Sequence, residues 1–303
     1  MLMFYFIVSN TPKIILQYFS VLLTNKFENM IQVFRKVRHK LLVENNFRKY
    51  FAYAVGEIFL VVVGILLAIQ FNNWSIGKEN GIKERWYLIN MVEDIEYQRQ
   101  ILALQKEHYQ EIIETAKSIL RDYKKTNNFS EVDSLNEKLN LFMEVEIFPN
   151  INNTYQELVS SGQQAIIRDK DLSIDVIDFY LFCEDNYKDV ENNNNNLYYR
   201  ELFPFFYNHS QFTIRTDDDF FKDEEGLFEK DVIFEQFLKE KLNTQETKIK
   251  FLNALKSLII ISTKHLDLIN ETIKLETNLV NKIDNYLGLT PEMVNQMYEV
   301  KEE

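Results

Sequence analysis

The sequence predicts an all-α protein: one transmembrane helix followed by an elongated antiparallel helical bundle with long coiled-coil-like helices. Three observations predict it. Phe51 to Phe71, FAYAVGEIFLVVVGILLAIQF, is apolar except for Glu57 and Gln70. Gly (7) and Pro (4) are scarce in 303 residues, which leaves little punctuation for strands and hairpins. Apolar residues recur seven apart over two long downstream stretches.

Charge divides the chain. Residues 1–74 hold eight Lys/Arg against three Asp/Glu, whereas residues 75–303 hold 26 against 43. So acidic a domain excludes nucleic acid as a partner, because phosphate binding needs Lys/Arg to displace counterions. Cys183 is the only cysteine, so neither an intramolecular disulfide nor a cysteine-based metal site is available. The 24 Phe and 16 Tyr suit a bundle core and a membrane interface.

Residues 1–29 hold two apolar halves, MLMFYFIV and IILQYFSVLL, divided by Ser9-Asn10-Thr11-Pro12-Lys13. Neither half is long enough to span a bilayer. They read as a non-native or poorly ordered extension, with translation expected to begin at Met30; a distorted second membrane helix is the alternative. Residues 30–50, MIQVFRKVRHKLLVENNFRKY, form a basic amphipathic cytoplasmic segment with Ile31, Phe34, Val37, Leu41 and Leu42 at helical spacing. Such a segment either lies on an anionic leaflet or only sets topology.

Residues 51–71 form the transmembrane helix. At 1.5 Å per residue it is about 31 Å long, the thickness of a hydrocarbon core. Arg35, Lys36, Arg38, Lys40, Arg48 and Lys49 precede it, and only Lys78, Lys83 and Arg85 follow closely. The positive-inside rule then places the N-terminus in the cytoplasm and residues 75–303 on the far side. Tyr50, Tyr53 and Trp74 suit the two interfaces. Ala52, Gly56, Gly64 and Ala68 lie on one i+4 row, a helix-packing face that lets another helix approach closely in lipid. Glu57 is an intramembrane acid beside that row. It is expected to be protonated, to reach the headgroups, or to bond within a helix dimer rather than to carry ions.

Beyond Asn72-Asn73-Trp74-Ser75, a helix is predicted from about Lys78 to Lys124. Leu88, Ile95, Leu102, Tyr109, Ala116 and Tyr123 repeat at seven, with a second stripe that Gln98 and Gln105 interrupt. Ser130-Glu131-Val132-Asp133 resembles an N-terminal cap for a helix reaching Val145. Pro149 to Asn153 reads as a loop, and Thr154 to Ser161 as a short helix closed by Gly162. Leu172 to Phe203 reads as a long helix with Val176, Cys183, Val190 and Leu197 seven apart. Cys183 on that stripe is expected to be a buried, inert thiol. The run Asn192 to Asn196 either frays or kinks the helix, or has no role. Asp217-Asp218-Asp219 and Asp223-Glu224-Glu225 mark a solvated acidic loop that lacks the spacing of a calcium loop. A short helix is predicted at 229–242. The last long helix runs from Thr244 to Leu287, with Leu252, Ile259, Leu266, Ile273, Val280 and Leu287 seven apart and Leu255, Ile269 and Ile283 as companions. Gly288 stops it, and Thr290-Pro291-Glu292 opens a final short helix.

No motif specifies a reaction. His39, His108, His209 and His265 are scattered, and no His pair, phosphate loop or nucleophile elbow occurs. Glu107, His108, Glu111 and Glu114 share one helix without matching pairs elsewhere, so they read as a solvated face. No catalytic residue, cofactor site or metal site is expected.

The stretch from Met30 to Trp74 resembles an uncharacterised family of Bacteroidota membrane proteins, the domain-of-unknown-function family numbered six thousand and ninety. The residues carrying the resemblance are Tyr53-Ala54-Val55-Gly56-Glu57-Ile58, Gly64-Ile65 and Gln70-Phe71-Asn72-Asn73-Trp74. Thr154 to Gly162, Ile166-Ile167 and Phe179-Tyr180 extend it. The resemblance covers about residues 30–200. It implies a start near Met30, a Gram-negative inner membrane and a periplasmic helical domain, but no activity. The expectation is a non-enzymatic single-pass interaction or scaffold protein, with the lipid bilayer and either a second copy or a partner membrane helix as its partners. The alternatives are a sensor-like ligand-binding module that signals through its span, and a hydrolase concealed in the acidic domain.

Overall fold

The computed structural model describes residues 47–213, 226 and 231–290. Most of the basic segment, the whole N-terminal extension, the acidic loop and the final short helix therefore lie outside the described residues. Among the described residues every regular element is helical and none is a strand. The chain divides into two units, Met1–Glu79 and Asn80–Glu303.

The first unit contains the start of α1 (Phe47–Thr126), whose apolar stretch is exposed along nearly its whole length. The expected separation between the span and the next helix is absent, since α1 runs without a break through Asn72, Asn73, Ser75 and Gly77. These residues lower helix propensity by at most about 1 kcal/mol each, but none removes a backbone hydrogen bond as Pro would.

The second unit is built on three long elements. From residue 80 onward α1 buries Glu84, Leu88, Met91, Ile95, Gln98, Leu102, Gln105, Tyr109, Ile112, Ala116 and Ile119, alternating four and three apart. That spacing keeps one seam facing a partner. Gln98 and Gln105 do not interrupt the stripe; they are members of it. α7 (Gln245–Leu287) buries Phe251, Leu255, Leu258, Ser262, His265, Ile269, Thr272, Glu276, Leu279 and Ile283 with the same alternation. The expected stripe through Leu252, Ile259, Leu266 and Ile273 is only half-buried, and its companion through Leu255, Ile269 and Ile283 is the true seam. Thr244 caps α7 through Thr247 N–H, and Gly288 ends it at φ +66°, where a side chain would be strained.

The third long element changes character midway. α4 (Lys170–Asn193) starts at Asp169, whose carboxylate accepts from Leu172 N–H, and buries Leu172, Val176, Phe179, Cys183, Asn186 and Val190. It continues as a π-helical segment, Asn194–Leu202, and then as α5 (Phe203–Tyr207). The widened turn moves the buried positions to every fourth residue: Val190, Asn194, Tyr198, Leu202 and Phe206. Tyr198, not the expected Leu197, therefore faces the core. The Asn run neither frays nor idles, because it is where the widening begins.

Shorter pieces close the ends. Asn128 caps a 3-10 turn at Phe129–Glu131 by accepting from Ser130 N–H, a role expected of Ser130 itself. α2 (Leu135–Leu141) follows and stops short of Val145. Asn243 accepts from Phe129 N–H at 3.0 Å and donates to Ser130 Oγ at 2.6 Å, tying this corner to the end of α6 (Val232–Leu242). α3 (Asn153–Ser160) ends at Gly162, with φ +69°.

Apolar burial forms two clusters in this unit. One joins Tyr87 to Ile95 of α1 with Leu172 to Cys183 of α4 and Leu279 to Ile283 of α7. The other joins Leu102 to Ile119 with Val190 to Phe206 and Phe251 to Ile269. On each of the three helices the fully buried residues between the clusters are polar: Gln98, Asn186, and Thr272 with Glu276.

Candidate functional site

The polar layer between the two clusters is the most chemically distinctive place in the second unit. Gln98 is 1% exposed and fully engaged. Its Oε1 accepts from Ile151 N–H at 2.8 Å, fixing the loop before α3. Its Nε2 donates to Glu276 Oε1 at 3.1 Å and approaches Cys183 Sγ at 3.4 Å. One side chain thus links α1, α4, α7 and a loop. Asn186 Nδ2 donates to Thr272 Oγ1 at 3.3 Å one layer on.

Glu276 has no exposed surface. Arg99 Nε lies 3.5 Å from its Oε2, outside hydrogen-bond geometry, while Arg99 Nη1 donates to Glu96 Oε1 at 2.7 Å. Burial pushes the Glu276 carboxyl up to about 7, against the opposing pull of Gln98 and Arg99. Burial likewise pushes the Cys183 thiol up to about 12, so it is protonated and a poor nucleophile. This matches the inert thiol expected from its stripe.

Two further polar groups flank the layer. Tyr109 Oη lies 3.0 Å from His265 Nδ1, and Asn193 Nδ2 lies 3.4 Å from His265 Nε2. Burial lowers His265 to about 4, which keeps the ring neutral and suited to this chain of bonds. Gln105 donates to Ile147 O at 2.8 Å, and Asn194 to Glu146 O at 3.0 Å. At the other end Glu84 accepts from Arg168 N–H at 2.8 Å and from Tyr286 O–H at 2.7 Å. The Arg168 guanidinium pairs with Glu84 at 3.0 Å, in a position that a Cβ on Gly81 would occupy. The hydrogen bond to Glu84, then burial, pushes Tyr286 up to about 12.

In the first unit Ala52, Gly56, Gly64 and Ala68 are all exposed, and a Cβ at Gly56 or Gly64 would meet nothing within 4 Å. Glu57 is half-buried. α1 is long and apolar enough to cross a membrane, and its most apolar window is wholly uncovered. Glu107, Glu111 and Glu114 are exposed, whereas His108, expected on the same solvated face, is half-buried with its Nε2 covered and unbonded. Among the described residues no three His, Cys, Asp or Glu side chains gather to hold a metal ion. A hollow of about 450 Å³ near α2 and α6 is lined by Glu131, Asp133, Glu137 and Glu235 together with His209 and Lys239.

Sequence reasoning missed the polar layer because its members are scattered through apolar repeats. The available signal was that Gln98, Thr272 and Glu276 fall at heptad positions.

Residues 57–216 match the model of a family of unknown function, DUF6090. No curated protein and no solved structure matches the chain.

Proposed function

We propose that this chain, which belongs to the family of unknown function DUF6090, is a single-pass membrane-anchored interaction or scaffold protein without enzymatic activity. The observation that carries the reading is the apolar part of α1, which is exposed along nearly its whole length and keeps Gly56 and Gly64 open to a neighbour. Apolar area on that scale needs a cover, and lipid together with a second membrane helix supplies one. Loop charge supports an inner-membrane topology with the N-terminal side cytoplasmic and the helical domain periplasmic. We assign that domain an elongated antiparallel bundle with coiled-coil-like packing. The alternating four-three burial on α1 and α7 supports it, as do the cross-pairs Glu84–Tyr286, Gln98–Glu276 and Tyr109–His265.

Crosslinking in native membranes followed by purification tests the reading. The expected result is one stoichiometric product, either a dimer or a single partner, that is lost in Gly56→Ile/Gly64→Ile. An unchanged product in the double variant refutes the packing face. A reporter fused after Trp74 that works only in the cytoplasm refutes the topology. A sensor-like module is the second reading, favoured by the buried polar layer, and ligand-dependent shifts in melting temperature would support it over the scaffold.

A further inference from the structure

The buried carboxylate of Glu276 faces one guanidinium, that of Arg99, which a second carboxylate, Glu96, also engages. Arg99 is hydrogen-bonded to Glu96 on its own helix at 2.7 Å and stands 3.5 Å from Glu276 across the seam. Arg99 Nε and Nη2 and Glu276 Oε2 are buried without a hydrogen bond. Buried polar groups are nearly always bonded, so three such atoms at one contact call for an explanation.

We propose that Glu276 and Arg99 form a proton-operated latch between α1 and α7, in which Arg99 holds Glu96 while Glu276 is protonated and crosses to Glu276 when it ionises. A protonated Glu276 needs only the Gln98 amide, and the core tolerates a neutral acid there. An ionised Glu276 with no exposed surface requires a full charge partner, and Arg99 is the cation facing it. The proton goes to solvent, and no other bond is made or broken.

The groups facing the site are few, and from α7 Asp284 adds a second acid whose carboxyl is raised by burial and then by Glu96. From α1 come Glu96 and Arg99, with Gln98 between them. From α4 comes Cys183, whose thiol shares the Gln98 amide with Glu276. Asp94 and Tyr180 form the next shell, with Asp94 bonded to Thr154 N–H at 2.9 Å. Because the latch sits between the two apolar clusters, its closure acts where Gln98 joins α1, α4 and α7 by polar contacts.

The sign follows from the raised carboxyl. Between the ordinary carboxyl value of 4.5 and about 7 the folded chain holds the proton more tightly than the unfolded chain, so this group's contribution to stability falls as pH rises through that range. His265, lowered by burial to about 4, acts oppositely: its contribution falls as pH drops below 6.5. The test therefore compares variants at each pH.

Melting of full-length protein in detergent is followed from pH 5 to pH 8 for the native chain, Glu276→Gln, Glu96→Gln and Arg99→Gln. The gap between Glu276→Gln and the native chain is expected to widen by about 5 °C towards pH 8. Arg99→Gln should fall more steeply than native, since the ionised acid loses its cation. Glu96→Gln, altered at a partly exposed site that folding tolerates, should fall less steeply because Arg99 is released to Glu276. Parallel curves for Glu276→Gln and the native chain would overturn the latch. So would a Glu96→Gln slope equal to or steeper than native, even if Arg99→Gln failed to fold.

Discussion

Tyr198 shows how one hydroxyl can fix a register. It is 4% exposed, and its hydroxyl donates to Phe142 O at 2.6 Å, joining the π segment to the end of α2. Burial raises its phenol well above the ordinary value, so the proton stays available for that bond. Tyr198→Phe keeps the ring and leaves a buried carbonyl with one fewer donor. Urea unfolding should show a loss of about 1–2 kcal/mol with an unchanged m-value. Gln98 is the harder case. Its two polar atoms serve Ile151, Glu276 and Cys183, so no apolar isostere can replace it without leaving those groups unbonded. Residues of this kind are invisible to a search for apolar periodicity.

At the scale of the element, the π segment is the clearest departure from a regular helix. An i→i+5 bond runs from Phe203 N–H to Tyr198 O, so the turn holds extra chain. Removing one exposed residue there should return the stretch to α geometry. Deleting Asn195 places Tyr198 seven residues after Val190, the spacing of an ordinary seam. Deleting exposed Lys188 instead, within the regular part of α4, rotates every later side chain by about 100° away from its partner. Thermal melts should show the Asn195 deletion within about 4 °C of native and the Lys188 deletion lower by far more, if it folds at all. Equal losses would argue against the widened turn as the origin of the register. The other instructive element is α7. Leu252, Ile259 and Leu266 repeat at seven and are apolar, yet the seam chosen by the fold runs through Ser262, His265, Thr272 and Glu276. Hydrophobicity alone favours the wrong face, because four of ten seam positions are polar and are stabilised by partners on other helices.

At the scale of the molecule, the two units place opposite demands on their surroundings. In the second unit the apolar residues of the long helices are largely turned inward, into two clusters. The first exposes Phe51, Ile58, Phe59, Leu60, Leu66 and Leu67 at half or more of their surface. Water does not tolerate so long an apolar helix, whereas a bilayer does. The full chain is therefore expected to remain with membranes through an alkaline carbonate wash and to be released only by detergent. Release into the soluble fraction by carbonate would count against the anchor. Helical class, the apolar stretch, the stops at Gly162 and Gly288 and the burial of Cys183 were all legible in the sequence, because each depends on local propensity or on a run of one kind of side chain. The widened turn at Asn194 and the seam through Gln98 and Glu276 were decided by tertiary structure. A buried polar residue is stable only beside a partner, and the partners of Gln98 lie more than fifty residues away along the chain.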